Sequence, residues 1–137
     1  MSSHIHVKPV RDPGAWLATL ADEAWAHDAR AALATRPDCA VFEASVDGKP
    51  VGFAAFFVMG DGHLHFISVH ESFRRRRVAA TLFARVVGSV DRLLPRGNPL
   101  VITANDATPN GAALLHGLDF TLGSDGFWEY AAERNQA

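Results

Sequence analysis

Four consecutive arginines, Arg74 to Arg77, stand between two apolar segments of this 137-residue chain. Residues 63–70 before them (HLHFISVH) predict a strand, and residues 78–94 after them predict a helix. The first backbone N–H groups of a helix have no acceptor within the helix, and the helix dipole is positive at this end. A basic turn at the start of a helix therefore predicts an anion-binding site.

Both flanking segments have the periodicity of their expected structure. The helix has two apolar stripes, which are Val78, Leu82, Val86 and Val90, and Ala79, Phe83, Val87 and Leu94. Alternation along the strand predicts His63, His65, Ile67 and Val69 on one face, and Leu64, Phe66, Ser68 and His70 on the other. Neither strand face is polar throughout, so the strand is expected at the centre of a sheet.

The positive charge of the chain is concentrated in this turn. The formal net charge is -2, from 13 basic and 15 acidic side chains, and without the four arginines the balance is 9 against 15, or -6. A nucleic-acid-binding domain usually spreads its basic residues over a face. The charge distribution therefore favours a small polyanion over a nucleic acid.

Length and composition predict one compact domain over residues 1–137, since 48% of the residues are hydrophobic and 20% are charged. No segment approaches the about 20 consecutive apolar residues of a membrane span. The N-terminus lacks the apolar core of a signal peptide, so we expect a cytoplasmic protein without membrane contact.

Cys39 is the only cysteine, which excludes an internal disulfide. His63, His65 and His70 have no acidic or cysteine partner at ligand spacing, so no metal is expected.

The remaining segments predict an α/β fold. Asp12 followed by Pro13 is typical of a helix start, and Asp47 with Gly48 of a two-residue hairpin turn. The expected strands are residues 4–10, 40–46, 51–58, 63–70, 100–103 and 127–131, and the expected helices are residues 14–35, 78–94 and 111–117. The first helix should break near His27 and Asp28, and its buried side should contain Trp16, Leu17, Leu20, Ala24 and Ala31. A helical crossover makes residues 63–70 and 100–103 parallel neighbours.

The spacing V-x-x-x-x-R-x-x-x-V-A-x-x-L, carried by Val69, Arg74, Val78, Ala79 and Leu82, resembles the acyl-CoA-binding motif of the GNAT superfamily of N-acetyltransferases. The core pattern of that family, Q/R-x-x-G-x-G/A, falls on residues 74–79. The chain departs from it at Arg77, where the family has glycine. The resemblance implies a mixed sheet with a central βαβ unit and helices on both faces.

A second family block, N-x-x-A-x-x-L-Y-x-x-x-G-F, is matched only loosely. Counting forward from Asn110 matches Ala113, but counting back from Phe120 places Leu115 at the tyrosine position. Asp119 stands where this block has its glycine, directly before the phenylalanine. The usual donor of a proton to the departing thiolate is therefore missing, and His116 lies next to its position.

The resemblance implies acetyl-CoA as co-substrate and no metal. Its implied cofactor-binding residues are Ile67, Ser68 and Val69 along the strand, then Arg74, Arg75, Arg76, Arg77, Val78, Ala79, Ala80 and Thr81 in the turn and helix start, and Asn110. His65 stands where the family often has a glutamate base, and histidine exchanges protons near neutral pH. Trp16, Trp25 and His27 lie in the region that covers the acceptor, although aromatic residues at this spacing are also typical of a plain core.

The family reading predicts an N-acetyltransferase that moves acetyl directly from acetyl-CoA to an amine acceptor, either a small molecule or a peptide, within a ternary complex. The acidic remainder of the chain mildly favours a cationic amine. Arg77 and the missing tyrosine leave open a degenerate GNAT-like protein that binds CoA without turnover. An RNA-binding module using the arginines is a further alternative. The oligomeric state is open, with a homodimer among the alternatives.

Overall fold

The computed structural model describes residues 4–19, 24–36, 38–73, 77–105 and 109–132. The strands are β1 (Ile5–Val10), β2 (Ala40–Val46), β3 (Lys49–Met59), β4 (Asp61–Val69), β5 (Leu100–Ala104), β6 (Thr121–Leu122) and β7 (Trp128–Ala132). The helices are α1 (Pro13–Ala18), α2 (Ala24–Thr35), α3 (Val78–Leu93) and α4 (Pro109–Gly117). One seven-stranded sheet has the order β1-β2-β3-β4-β5-β7-β6, and within it β4 and β5 pair in parallel.

The expected βαβ unit is confirmed as β4, α3 and β5. The apolar stripe of α3 packs on one face of the sheet, where Val78, Leu82 and Val86 are almost fully buried. Leu115 of α4 belongs to the same core, whereas Leu33 of α2 belongs to a second core on the opposite face. Helices therefore cover both faces, as the family resemblance implied.

The expected hairpin between β2 and β3 is also confirmed. Asp47 and Gly48 have φ angles of 52° and 80°. Positive φ at both central residues is the geometry whose twist matches that of the two strands, and glycine and aspartate tolerate it. The turn therefore sets the register in which Val46 pairs with Lys49.

The strict alternation expected along β4 is wrong, because a β-bulge interrupts it. Leu64 pairs with Phe56 of β3 and Phe66 pairs with Ala55, so His65 is the extra residue on β4. Leu64 and Ile67 consequently belong to the core under α3, while Phe66 belongs to the core under α1 and α2. A single inserted residue shifts the phase of every later side chain by one.

The N-terminal helical region differs from the prediction in where it divides. Two helices are present as expected, but α2 runs without interruption through His27 and Asp28, and the division falls before Ala24. Ala31 is exposed and Leu33 is buried instead. A single helical period over residues 14–35 therefore does not hold in α2. The side chains of Leu17, Leu20 and Ala24 lie outside the described residues.

The C-terminal half has one strand that the sequence did not indicate, β6, which pairs with β7. Before it, α4 ends with paired backbone bonds from Asp119 to His116 (3.1 Å) and from Phe120 to Leu115 (3.0 Å). This end places Asp119 at φ 70°, the left-handed conformation that a helix C-terminus usually assigns to glycine. The position where the family motif has glycine therefore keeps the glycine conformation.

Candidate functional site

The two parallel strands pair over only part of their length. Their partners are Gly62 with Ile102, His63 with Thr103 and Leu64 with Ala104. At that point β5 ends, whereas β4 continues for five residues to Val69. No described strand pairs with β4 on this side beyond Leu64. We call this last part of β4, which leads from the bulge towards the arginine turn, the open edge.

The start of α3 lies at the end of this open edge. Its N-cap residue Arg77 has φ 66° and ψ 14°, a left-handed conformation. The amide and the hydroxyl of Thr81 both donate to the Arg77 carbonyl, at 2.9 Å and 2.7 Å, so they close the first helical turn. The amides of Val78, Ala79 and Ala80 precede this first helical bond and have no acceptor within the helix. These three N–H groups can bind an anion.

Arg77 occupies a backbone position suited to glycine. Residues with a Cβ enter the left-handed region at a cost of about 1–2 kcal/mol, whereas glycine enters it freely. The Arg77 side chain is exposed and forms no cap hydrogen bond. Its guanidinium can therefore approach an anion in the turn. Arg74, Arg75 and Arg76 lie outside the described residues.

The chain between β4 and the arginines is held by His70. The His70 amide donates to the Val51 carbonyl at 2.6 Å, and its carbonyl accepts from Phe73 at 2.8 Å. The amide of Ser72 donates to His70 Nδ1 at 3.1 Å. These bonds form a tight turn that connects the end of β4 to the arginine segment.

Two histidines lie where the parallel strands part. His63 Nδ1 is 2.6 Å from the hydroxyl of Thr103. This bond joins β4 to β5 at the second of their three paired positions. His65, on the bulge, has its Nε2 3.2 Å from the hydroxyl of Thr35 at the end of α2. Phe57 stacks on the His63 ring at 4.7 Å and meets the His65 ring edge-on at 6.3 Å. The candidate base His65 is therefore oriented at the beginning of the open edge.

The residues proposed for the acceptor are only partly described. Trp16 is half-buried, its indole N–H donates to Glu43 Oε2, and its ring lies 5.5 Å from that of Phe53. His27 is exposed on α2. The side chain of Trp25 lies outside the described residues. Trp16 is thus a contact between α1 and the sheet.

Glu43 is a functional candidate that the sequence analysis missed. It is buried on β2, its Oε2 accepts the hydrogen bond of the Trp16 indole, and its Oε1 lies 3.9 Å from Lys8 Nζ. The Lys8 side chain is 68% exposed, so this ion pair contributes little. A glutamate among the apolar residues of the segment AVFEASV was the available signal.

The residues that bear on protonation of a leaving thiolate differ in their surroundings. Leu115, at the tyrosine position of the family block, is buried in the core, and His116 is exposed in the last turn of α4. Tyr130 packs against the rings of Phe83 and Phe120 at 4.9 Å and 5.7 Å. The backbone of Asn110 lies in the first turn of α4, and its side chain is outside the described residues.

Other features of the described residues bear on the class of site. Burial, with a smaller contribution from Asp38, raises the pKa of the Cys39 thiol to about 11, which removes thiolate chemistry at neutral pH. No group of three potential metal ligands occurs within the described ranges. No helix in the described part of the chain is long and apolar enough to span a bilayer.

Comparison with known proteins agrees with this geometry. The family model of the acetyltransferase (GNAT) family matches residues 8–114, so the chain belongs to the GNAT acetyltransferase family. No match was found among curated protein sequences.

Solved structures have the same fold. The ribosomal-protein-S18-alanine N-acetyltransferase from Escherichia coli has a TM-score of 0.63 at 16% identity, with 96% of each chain covered. YhbS from Escherichia coli, in complex with CoA, has a TM-score of 0.61 at 17% identity, with 94% of this chain and 81% of that chain covered. YncA from Salmonella typhimurium, with its cofactor acetyl-CoA, has a TM-score of 0.60 at 17% identity, with 97% and 96% covered.

Proposed function

We propose that this GNAT acetyltransferase transfers acetyl directly from acetyl-CoA to an amine within a ternary complex. The observation that carries the proposal is the end of β5 pairing at Leu64 while β4 continues to Val69, next to the start of α3. An extended pantetheine arm fits along β4 beyond Leu64, where β5 no longer pairs with it, and can form backbone hydrogen bonds there. A diphosphate fits the first turn of α3 at the other end.

The cofactor-binding residues divide into two groups. The segment of Ile67, Ser68 and Val69 would bind the pantetheine arm through those of its backbone groups that face away from β3. The amides of Val78, Ala79 and Ala80 would bind the diphosphate, while Thr81 holds the carbonyl of Arg77 inside the helix and so keeps the turn in shape. Arg74, Arg75, Arg76 and Arg77 would add positive charge, and Asn110 is proposed on the opposite side of the arm. The bound thioester supplies an activated acetyl group.

The transfer step needs a neutral amine near the bulge. The amine nitrogen attacks the carbonyl carbon, the C–S bond breaks, and the amine proton passes to His65 directly or through a water molecule. The hydrogen bond with Thr35 orients the imidazole for this role. The departing thiolate takes a proton from His116 or from solvent, since His116 is exposed on α4.

The acceptor is proposed to be a small-molecule or peptide amine bound beside α1 and α2, where Trp16, Trp25 and His27 are the candidate contacts. Buried Glu43 places a negative charge on this face of the sheet, beside Trp16. That charge favours a cationic acceptor. One solved structure of the same fold is named as an N-acetyltransferase of a ribosomal-protein alanine, which makes peptide N-termini one arm of the acceptor screen.

Release of free thiol from acetyl-CoA tests the proposal. The protein is incubated with acetyl-CoA and a panel of polyamines, amino acids, aminoglycosides and peptides with different N-termini. Amine-dependent thiol release, with acetylated product identified by mass spectrometry, supports transfer.

A CoA-binding protein without turnover is the second candidate, because the tyrosine position is occupied by buried Leu115. Acetyl-CoA would then raise the melting temperature, while no amine in the panel would release thiol above the background hydrolysis rate. The same screen therefore separates the two functions.

A further inference from the structure

Gly52 on β3 has no room for a side chain. A Cβ at this residue would lie 2.9 Å from the carbonyl oxygen of Ser68, 3.3 Å from Leu82 Cδ1 and 3.3 Å from Val78 Cγ1. Its φ angle is not in the left-handed region, so the requirement for glycine is one of space and not of backbone conformation. An isolated glycine within an apolar strand segment, here VGFAAFF, is typical of a close approach between elements.

The atoms around Gly52 belong to the two halves of the proposed cofactor site. Ser68 lies in the segment of β4 that would bind the pantetheine arm, and its carbonyl faces β3. Val78 is the first residue of α3, which would bind the diphosphate. Gly52 itself pairs with Val69 at the end of β4. One residue of β3 therefore contacts both β4 and α3 at the end where the cofactor is expected.

We propose that Gly52 is a positioning residue that sets the distance between the pantetheine-binding edge and the diphosphate-binding turn. This inference rests on the proposed function. The absence of a side chain lets the first turn of α3 lie directly on β3, so that its free amides have a fixed relation to the edge of β4. A methyl group on Gly52 would push the first turn of α3 away from β4. The Ser68 carbonyl belongs to the backbone and cannot rotate away as a flexible side chain would, so α3 has to move.

Gly62 provides a matched control within the same sheet and under the same helix. A Cβ there would lie 2.8 Å and 2.9 Å from the two methyl carbons of Val90 and 3.2 Å from Ile102 Cγ1. These contacts are at least as tight, but they involve the C-terminal half of α3 and the paired part of β4 and β5. Gly62→Ala should therefore overpack the core without separating the two halves of the cofactor site.

The test compares Gly52→Ala with Gly62→Ala in the full chain, by calorimetric titration with CoA below the melting temperature of each variant. A misplacement of about 1 Å in a binding constellation is costly, so Gly52→Ala should raise the Kd for CoA at least about tenfold. Gly62→Ala should stay within about twofold of the unmodified protein although it is also less stable. In turnover, Gly52→Ala should raise KM for acetyl-CoA and leave KM for the acceptor unchanged.

Equal CoA affinity in Gly52→Ala and the unmodified protein overturns the positioning role and leaves the proposed function intact. Equal losses in both glycine variants also overturn it, since they indicate general destabilisation. Absence of CoA binding in the unmodified protein overturns the proposed function itself, together with this inference. If Gly52→Ala does not fold, Val78→Ile adds a methyl group from the helix side of the same contact. Val90→Ile is then its control. Val78→Ile should weaken CoA binding at least about tenfold, whereas Val90→Ile should leave the Kd for CoA within about twofold.

Discussion

Replacing Arg77 by glycine should stabilise the protein, although it removes a long side chain at the helix start. Arg77 has φ 66°, and a residue with a Cβ adopts this conformation at a cost of about 1–2 kcal/mol. Glycine avoids that cost but loses more chain entropy on folding, by about 0.5–1 kcal/mol. At the midpoints of these two ranges the net gain is about 0.75 kcal/mol. For 137 residues with an unfolding entropy of about 2.1 cal/mol/K each, the melting temperature should rise by about 2–3 °C.

Arg77→Ala is the matched control, because alanine removes the same guanidinium but keeps the Cβ. The side chain of Arg77 is exposed and makes no cap hydrogen bond, so its removal alone should leave the melting temperature nearly unchanged. Differential scanning calorimetry of the three proteins measures the difference. A melting temperature of Arg77→Gly equal to or below that of Arg77→Ala would refute the assignment of backbone strain to this residue.

The same pair of variants separates two roles of Arg77 in cofactor binding. If the turn binds the diphosphate through its backbone amides, Arg77→Gly should keep or improve the affinity for acetyl-CoA, since the backbone becomes more accessible. A collapse of affinity in both variants would instead identify the guanidinium as a required ligand. Titration calorimetry at two salt concentrations distinguishes the cases, because a charge contact weakens with ionic strength.

Further outcomes follow from Trp16, His65 and Cys39. Trp16→Phe keeps a ring over Phe53 but leaves the buried Glu43 oxygen without its indole donor, so it should lower the free energy of unfolding by about 1–3 kcal/mol in a urea titration; an unchanged midpoint would contradict this contact. His65→Gln should remove the acidic limb of the pH–rate profile, and an unchanged limb would eliminate His65 as the base. The raised pKa of Cys39, about 11 against 9.0, should make its alkylation at pH 8 about 100-fold slower in the folded than in the unfolded protein. Because the folded state then holds the proton more tightly, stability should fall as pH rises from about 9 to 11.

Much of the fold was predictable because its main elements have strong local signals. The stripe of α3, the Asp47 and Gly48 turn, and the helical crossover that requires parallel strands each depend on residues close together in sequence. The family motif added the expected order of the elements. These signals place the start of α3 at Val78 and the parallel strand at Leu100, as observed.

What escaped prediction depends on contacts between distant segments. The bulge at His65 exists only in the pairing of β4 with β3, and strand alternation alone contains no sign of it. The bond between Trp16 and Glu43 joins residues 27 positions apart. The left-handed backbone of Arg77 and Asp119 was visible only as a departure from family glycines, and the structure supplies the physical meaning of both departures.

The most direct test of the account is amide hydrogen exchange of the full chain with and without acetyl-CoA. Slower exchange is expected in two separate segments, the open edge of β4 at Ile67 and the first turn of α3 from Val78 to Ala80. Exchange in the β1 and β2 strands should not change. Protection confined to other parts of the molecule, or no protection at saturating acetyl-CoA, would contradict the claim that a parted strand pair and a helix start together form the acetyl-CoA site.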